Sequence, residues 1–476
     1  MRKSNALRLI PALLALTLAG CMVGPDYQRP TIDTPDAWRV DAPAARDLAN
    51  AAWWRQFDDP VLDQLVAAAL AGNKDLLIAS ARIEEYAGYY GITRAQLFPQ
   101  VGAGVQGYRQ RDTMTGTATV GEFNSYAATF SASWEIDLWG KIRRQTEAAR
   151  AQLLASEDAR QGVILTLVGS VAGGYITLCD LDRQLEIARD TARTRGESYQ
   201  VFKDRYEGGV ISLLELSQNK SQYDEALATI PALEKSIAQQ ENALNALLGR
   251  NPGPIARGRT IDALLPPGIP EGLPSSLLER RPDLRAAEQQ LIAANAQIGA
   301  AKAAYYPSIS LTGVFGVASG KLSDLFESGS RIWQYGGALS QPIFTAGSLA
   351  GQVQVAQAQQ QQALFAYQRA IQNAFREVND ALVGQQKIGD QLAAQGKQVD
   401  ALKVYANTAR LRYDNGYTSY IEVLDAERSL FNAQLQYVQT QEARLQAMIN
   451  LYKAMGGGWV DQAQKLSSAA TPPAQP

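Results

Sequence analysis

The sequence predicts an α+β membrane protein in which each chain supplies four β-strands and two pairs of long helices. Three observations predict this fold class. The 476-residue chain begins with a secretory leader, and its two halves resemble each other. Along each half, the spacing of the apolar residues also changes from every second residue to a seven-residue repeat. Because no internal run of 18 apolar residues occurs, we expect no transmembrane helix, and any membrane-spanning part should be β.

The first twenty residues are predicted to be a signal peptide. A positively charged start is followed by an apolar stretch over 9–18, which is too short to span a bilayer. The stretch leads into Leu18-Ala19-Gly20-Cys21, the acceptor pattern of bacterial lipoproteins, although an ordinary signal peptide with a chance cysteine is the alternative. We predict a lipid on Cys21; several acyl chains, at about 0.8 kcal/mol per buried CH₂, anchor a protein firmly. Met22, rather than Asp, resembles lipoproteins sent to the outer membrane.

Composition excludes several functional classes. The chain has no histidine, which removes Ser-His-Asp and Cys-His catalysis and the commonest transition-metal ligand. Its net charge is −2 without any basic block, so nucleic acid is not an expected partner. With Cys21 acylated, Cys179 has no disulfide partner. We therefore predict no enzymatic activity and no cofactor other than the covalent lipid.

An internal repeat organises the chain. The stretch Arg205-Tyr206-Glu207-Gly208-Gly209 corresponds to Arg412-Tyr413-Asp414-Asn415-Gly416, 207 positions later, and the same shift maps Gly140 onto Gly347. An offset maintained over this distance indicates a duplication. The predicted segments are a signal peptide (1–20), an N-terminal equatorial segment (21–59), repeat 1 (60–249), a linker and equatorial segment (250–281), repeat 2 (282–456) and a C-terminal tail (457–476).

Each repeat is predicted to contain a pair of strands. From Tyr126 to Leu138 every second residue is apolar or small, while Thr, Ser, Glu and Asp lie between them. This alternation gives a strand one apolar and one polar face, and its length suits a tilted membrane strand. The predicted strands cover about 100–111, 125–138, 307–317 and 333–343.

Each strand pair is followed by two long predicted helices. Ile371, Val378, Leu392 and Val399 lie on one seven-residue register, which indicates coiled-coil packing. The predicted helices cover 140–205, 210–249, 348–412 and 418–455. About 65 residues at 1.5 Å each give roughly 100 Å of helix, a length suited to crossing a periplasm. The glutamines over 359–362 are expected to face a water-filled lumen.

Four strands cannot close a barrel alone. An open sheet in lipid leaves two edges, each with roughly ten unpaired backbone groups at several kcal/mol apiece. Copies must therefore combine their strands. Two copies would give eight strands with a filled interior, whereas three give twelve and permit a pore. We prefer a homotrimer, and larger rings stay open on this argument.

Several stretches, in order, resemble one family. They are Cys21-Met22-Val23-Gly24-Pro25-Asp26-Tyr27-Gln28-Arg29-Pro30, Trp53-Trp54-Arg55-Gln56-Phe57, Leu278-Glu279-Arg280-Arg281-Pro282-Asp283-Leu284-Arg285-Ala286-Ala287-Glu288, Ala304-Tyr305-Tyr306-Pro307-Ser308-Ile309 and Gln341-Pro342-Ile343-Phe344. Together they resemble the TolC-like outer-membrane efflux factors, in the lipoprotein branch associated with RND pumps, the NodT and OprM type.

The resemblance implies an architecture and partners. It implies a trimeric 12-stranded β-barrel continued by a 12-helix coiled-coil α-barrel, with a mixed equatorial domain. It also implies outer-membrane lipid, a periplasmic adaptor (a membrane fusion protein) and an inner-membrane RND-type pump as partners. The chain would be a passive exit duct for drugs or other small toxic compounds, and so contribute to multidrug resistance. The alternatives are the outer-membrane duct of a type I protein secretion system and a non-conducting coiled-coil envelope spacer.

The resemblance also places a periplasmic gate at the helix turns. The turns are Gly208-Gly209 and Asn415-Gly416. Glu422 and Asp425 match the family's ring of carboxylates, and Glu215 and Tyr413 match a pair whose hydrogen bond helps to hold the gate closed. Thr418 stands where well-known members have arginine, so that ionic latch is absent. The alternative is that these acidic residues are ordinary solvated side chains near a turn.

Overall fold

The structure is a computed structural model that describes residues 22–31, 52–113, 120–267 and 277–456. The predicted signal peptide, Cys21 and the tail over 457–476 lie outside these residues. The α-helices are α1 (Pro60–Gly72), α2 (Lys74–Ala95), α3 (Lys141–Glu207), α4 (Leu213–Leu247), α5 (Leu277–Arg280), α6 (Pro282–Ala303), α7 (Ser348–Asp414) and α8 (Tyr420–Ala454). The strands are β1 (Gln100–Thr113), β2 (Val120–Ile136), β3 (Ser308–Ser319) and β4 (Arg331–Ser340).

The same order of elements occurs twice along the chain. Two strands, a long helix and a shorter return helix follow each other as β1-β2-α3-α4 and as β3-β4-α7-α8. The two long helices have 67 residues each, and the two return helices have 35 each. Three glycines with positive φ in the first set, Gly140, Gly209 and Gly249, have positive-φ counterparts 207 positions later. Chain reversals therefore use the same backbone conformation in both halves.

The described residues divide into two compact units. The first comprises 22–31, 81–113, 120–157 and 286–369 and contains the sheet. In it, alanines of α3 and α6 form a cluster of small buried side chains that allows the two helices to approach closely. The second unit comprises 52–80, 158–267, 277–285 and 370–456. Its helices pack around larger apolar side chains, among them Leu185, Leu233 and Phe431.

The sheet is antiparallel, with strand order β1-β2-β3-β4. Its register places apolar residues opposite one another across all four strands, as in the row Ala103, Phe130, Phe315 and Trp333. Small and polar residues such as Ser131 occupy the opposite face. The apolar side chains are exposed, although such side chains are normally buried. Within the described chain, β1 and β4 each pair on one side only.

Strand ends differ from the predicted bounds for local reasons. β2 begins at Val120 rather than near 125, since pairing with β1 continues to Thr113 and an Arg109–Glu122 ion pair of 2.6 Å lies across the strands. β4 covers Arg331–Ser340 and ends three residues before the predicted end. Pro342 follows it, and proline has no backbone N–H to donate to the ladder.

The predicted seven-residue registers coincide with buried positions. Ile164, Val171 and Leu178 on α3 are fully buried, and Ile371 and Val378 on α7 are 1% exposed or less. The expectation that no internal helix is apolar enough to span a bilayer requires a correction. An 18-residue window of α3 reaches a mean hydropathy of 1.8, but 67% of it is buried inside the protein. A packed core helix has these properties.

Candidate functional site

The two helix turns of the second unit share one backbone motif. In the first turn, the Val210 amide donates to the Arg205 carbonyl at 2.8 Å, and Gly209 has φ +72°. In the second turn, the Tyr417 amide donates to the Arg412 carbonyl at 2.8 Å, and Gly416 has φ +76°. These are Schellman caps, in which glycine adopts the left-handed conformation. The predicted turn residues Gly208 and Asn415 precede the capping glycine and have negative φ.

Glu215 has a structural role at the start of α4. Its carboxylate accepts the Ser212 amide at 2.9 Å, while the Glu215 amide donates to the Ser212 hydroxyl at 3.3 Å. The two residues form a capping box, which satisfies amides that α4 leaves without intrahelical partners. Ser419, which precedes α8, makes no such side-chain cap. The carboxylate of Glu215 is therefore engaged within its own turn.

Glu422 and Asp425, the predicted carboxylates, each have an arginine partner within the chain. Glu422 accepts from Arg412 at 3.1 Å and also from the Thr418 hydroxyl. Asp425 accepts from Arg428 at 2.9 Å, one turn further along α8. Thr418 therefore contributes a hydrogen bond at the position where well-known family members have arginine, and Arg412 of α7 places a positive charge beside Glu422. Pairing with arginine reduces the repulsion expected between neighbouring carboxylates.

Tyr413 packs in an aromatic cluster. Its ring stacks on Phe202 of α3, with centroids 6.0 Å apart, and lies 5.0 Å from the ring of Tyr420. Among the described residues, no hydrogen bond joins Tyr413 to Glu215, because the Glu215 carboxylate binds Ser212 instead. That predicted bond is therefore not made within one chain of this structure.

A buried polar network, not predicted from the sequence, joins four helices near the turns. The Asn219 amide of α4 donates to the Tyr420 hydroxyl at 2.5 Å and to the Ser198 hydroxyl at 3.2 Å. Ser198 lies on α3 and also accepts from Arg410 of α7 at 3.4 Å. Burial raises the pKa of Tyr420, so its hydroxyl stays protonated. The network links the α3–α4 pair to the α7–α8 pair and fixes the position of one pair along the axis of the other.

One sequence signal does point to this network. Asn219, Ala226 and Leu233 are spaced seven residues apart on α4 and all three are buried. A single amide on an otherwise apolar seam is the usual device by which helices fix their register. Tyr420 gives no comparable signal, because its partners are distant in sequence.

A groove of 500 Å³ lies beside the network. It is lined by Arg195, Arg410, Glu427 and Phe431, with other residues of α3, α7 and α8. Burial raises the pKa of the Glu427 carboxyl, and the charges of Arg410 and Arg195 oppose that rise. Arg195 also lies 5.2 Å over the Phe431 ring. Charges on three helices therefore meet here without a direct ion pair to Glu427 in the described part of the chain.

Apolar side chains are exposed at both turns. Val210, Leu213 and Leu214 on the first turn, and Tyr417 and Ile421 on the second, are between 60% and 76% exposed. Isolated exposed apolar residues are common, but five occur at these two turns, and we call this set of side chains the tip patch. Over the residues described, no group of three or more His, Cys, Asp or Glu could hold a metal ion.

The chain matches the model of one protein family over two stretches. Residues 65–250 and 273–457 match the outer membrane efflux protein family. The chain belongs to this family. It is an outer-membrane efflux channel protein, as the resemblance of the sequence to the TolC-like efflux factors predicted, and that prediction is confirmed.

Individual relatives are similar over nearly the whole chain. The cation efflux system protein CusC of Escherichia coli is 37% identical over 458 residues, which are 95% of this chain and 99% of that protein. The toluene efflux pump outer membrane protein TtgC of Pseudomonas putida is 38% identical over 97% of this chain and 98% of its own. The structure of the open state of the Neisseria gonorrhoeae MtrE outer membrane channel is similar with a TM-score of 0.83 and 32% identity. The similarity covers 92% of this chain and 99% of that one.

Proposed function

We propose that three copies of the chain form one duct through the outer membrane and the periplasm. The sheet carries the proposal: it has one exposed apolar face, and within the described chain both β1 and β4 lack a partner on their outer side. In lipid, each unpaired backbone group costs several kcal/mol, so the edges are stable only when neighbouring copies pair with them. Three sheets give twelve strands, and three sets of four long helices give twelve helices. The mostly polar opposite face of the sheet then lines a water-filled pore.

We further propose that Cys21 is acylated and that the mature chain begins there. The described residues begin with Met22, one peptide bond away, so the anchor would lie close to the first unit. Mass spectrometry of the purified protein tests this directly. An unmodified cysteine, or a start elsewhere, would contradict the lipid anchor without affecting the channel.

The hairpin turns form the proposed periplasmic gate. The tip patch gives a periplasmic adaptor an apolar surface to cover, and the adaptor would join the duct to an inner-membrane pump of the RND type. Closure would depend on the Asn219–Tyr420–Ser198 network and on the Arg412–Glu422 and Arg428–Asp425 pairs. Opening must break some of these contacts, and adaptor binding would offset their loss. Transport energy comes from the pump, and we expect no covalent reaction in this chain.

The proposed cargo is small toxic compounds rather than one ligand. Relatives of similar identity are named for cation efflux and for toluene efflux. These substrates have little chemistry in common, which favours selection by the pump and not by the duct. A deletion strain should therefore become sensitive to several drugs, solvents or metals. Loss of a single secreted protein, with unchanged drug sensitivity, would instead favour the type I secretion duct.

Single-channel recording tests the duct itself. Purified protein in a planar bilayer should conduct weakly, and Glu422→Gln combined with Asp425→Asn should change this basal conductance because both ion pairs are lost. Glu84→Gln, on the exposed surface of α2, is the control and should leave conductance unchanged. Complete absence of conductance in all three proteins would favour the non-conducting spacer.

A further inference from the structure

The arginines of the sheet all lie on its apolar face. Arg109 and Arg111 belong to β1, and Arg331 is the first residue of β4. The register places Arg331 opposite Val317, one row beyond Phe315, and the alternation of β1 puts Arg109 and Arg111 on the same side. At the strand positions that the structure describes, no arginine lies on the polar face. Basic residues that only kept the loops soluble would be expected on both faces.

These arginines give one end of the apolar face a positive charge. Glu122 is the one carboxylate of the described strands on this face, and it pairs with Arg109 at 2.6 Å. Arg111 and Arg331 are exposed, and neither forms an ion pair within the described chain. Three arginines and one carboxylate leave a net charge of +2 on this face of each chain. Unpaired arginines attract phosphate groups, because the guanidinium fork binds two phosphate oxygens at once.

The arginines lie where the apolar rows of the sheet end. On β3 these rows run from Ile309 to Val317, which is roughly 27 Å along the strand at about 3.4 Å per residue. A strand tilt of about 40° reduces this length to a height of roughly 20 Å, close to the ~25 Å apolar band of outer-membrane barrels. The next row contains Tyr126, and aromatic residues are typical of the membrane boundary. We therefore place the arginines at the lipid headgroups, where a lipid-facing arginine costs far less than at the midplane.

The charged end of the sheet faces the cell exterior. Helices α3 and α7 follow β2 and β4 at the other end of the sheet. Because the protein is an outer-membrane channel that extends into the periplasm, the end with the helices is the periplasmic one. Residues 320–330, which connect β3 to β4 and which we call the outer loop, therefore lie with the arginines beside the outer leaflet.

An apolar depression of 410 Å³ lies beside Arg331 on this face. Its lining combines small side chains with aromatic rings: Ala103, Ala128, Phe130, Phe315 and Phe326. Phe326 belongs to the outer loop and is 82% exposed. The loop is held by the Ser330 hydroxyl, which donates to the Asp324 carbonyl at 2.6 Å. The depression thus offers an acyl chain an apolar surface next to a residue that binds phosphate.

We propose that this end of the apolar face is a binding site for lipopolysaccharide of the outer leaflet. One acyl chain fills the depression, while phosphates of the lipid A headgroup bind Arg331 on one side and Arg109 and Arg111 on the other. Strands β1 and β4 are three strand spacings apart, or about 14 Å. A lipid with a single phosphate reaches one side only, whereas lipid A carries a phosphate at each end of a disaccharide. The site depends on the proposed barrel, whose apolar face contacts lipid, and adds a specific lipid to that face.

Lipid titration of the purified full-length protein tests the site. Rough-type lipopolysaccharide is added to the protein in detergent, and bound molecules are counted by native mass spectrometry, with phosphatidylglycerol and cardiolipin as comparison lipids. Arg331→Gln should weaken lipopolysaccharide binding about tenfold, because its charged hydrogen bonds to phosphate are lost. Arg150→Gln makes the same change at an exposed site on α3 and should bind as the wild type does. Equal affinity in the two variants, or equal affinity of the wild type for all three lipids, overturns the site.

A second pair of variants tests the depression and serves if Arg331→Gln fails to fold. Ala128→Phe fills the depression, whereas Ala132→Phe adds the same ring on the same face of β2 outside it. Both add only apolar surface where the sheet contacts lipid, so both should assemble normally. Only Ala128→Phe should weaken lipopolysaccharide binding. Equal binding by these two variants overturns the placement of the acyl chain and with it the site.

Assembly and lipid binding are measured in the same spectra, so their failures are distinguishable. A wild-type protein that stays monomeric contradicts the proposed function. A particle of three chains that conducts, but binds lipopolysaccharide no more tightly than cardiolipin, contradicts the lipid site alone.

Discussion

Two adjacent glycines in the first turn differ in the backbone conformation that they require. Gly209 has φ +72° and open space around the position of a Cβ, whereas Gly208 has negative φ and ordinary contacts there. Gly209→Ala should therefore destabilise the turn by about 1 kcal/mol through backbone strain alone. Gly208→Ala should be neutral or slightly stabilising. Exchange of the Val210 amide measures this, and equal exchange in both variants would show that the cap does not limit turn stability.

A single buried carboxyl makes stability depend on pH. Asp180 on α3 is 6% exposed; it accepts from Gln184 at 2.7 Å, but its other oxygen has no hydrogen-bond partner among the described residues. Burial raises its pKa from 3.8 to about 6, and the nearby charge of Glu442 adds to the rise. The folded state therefore binds the proton more tightly than the unfolded state does. Stability from this group is present below pH 3.8 and is lost as pH rises to about 6.

Asp180→Asn should remove that pH dependence. The amide keeps an oxygen for Gln184 and never ionises, so the variant should be at least as stable as wild type at pH 7. Melting temperatures of both proteins between pH 4 and 8 provide the measurement. The melting temperature of the wild type should fall relative to that of the variant between pH 4 and 6, and the difference should then stay constant at higher pH. A constant difference over the whole range would mean that Asp180 does not titrate there.

At the scale of the helices, the network around Tyr420 fixes how the two hairpins meet. Tyr420→Phe keeps the ring packed against Phe202 at 4.1 Å but removes the hydroxyl that accepts from Asn219. Asn219 keeps its hydrogen bond to Ser198, but a buried N–H left without its acceptor costs about 1–3 kcal/mol, so the turns should separate more readily and basal conductance should increase. Tyr405→Phe, at an exposed site on α7 outside the tip patch, is the matched control. Identical conductance and thermal stability in the two variants would exclude a gating role for the network.

Periodicity predicted the elements better than it predicted their contacts. Alternation from Tyr126 gave the two faces of β2, and the register through Ile371 gave the buried side of α7, because each depends on one element alone. The Ser198–Asn219–Tyr420 network was not predictable in this way. It depends on how far the helices that carry these three residues are displaced along their axes relative to one another. A seven-residue period does not define this displacement, because the period is satisfied equally well after one helix shifts by a heptad. The capping box was visible as Ser212 followed by Glu215, and its recognition would have assigned Glu215 to the turn.

At the hairpin turns, the sequence predicted the turn glycines but not the ion pairs, because it indicates elements better than the contacts between them. Gly209 and Gly416 could be located from residue type, since glycine favours left-handed backbone. The partners of Glu422 and Asp425 could not, because Arg412 is on the other helix of the hairpin and Arg428 is one of several arginines nearby. Charged side chains near a turn have many possible partners. Geometry, and not composition, selects among them.

At the scale of the whole molecule, the two faces of the sheet should respond oppositely to charge. Phe315 lies on the apolar face, opposite Phe130 and Trp333, whereas Thr312 lies on the polar face of the same strand. If the apolar face contacts lipid, Phe315→Arg costs about 2–4 kcal/mol per chain near the bilayer midplane, while an arginine at Thr312 faces water. Because three chains share one barrel in the proposed assembly, the cost at position 315 is incurred three times for each barrel.

We therefore expect Phe315→Arg to prevent outer-membrane assembly and Thr312→Arg to permit it. Membrane fractionation with native mass measurement in detergent separates the cases: three chains per particle for wild type and Thr312→Arg, and monomer or aggregate for Phe315→Arg. The hydrogen exchange of the second unit should be the same in wild type and Thr312→Arg, because both assemble and the sheet lies in the other unit. Normal assembly of Phe315→Arg together with failed assembly of Thr312→Arg would reverse the assignment of the faces. The polar face would then contact lipid, which its serines and threonines could not do without leaving hydroxyl groups unpaired in hydrocarbon.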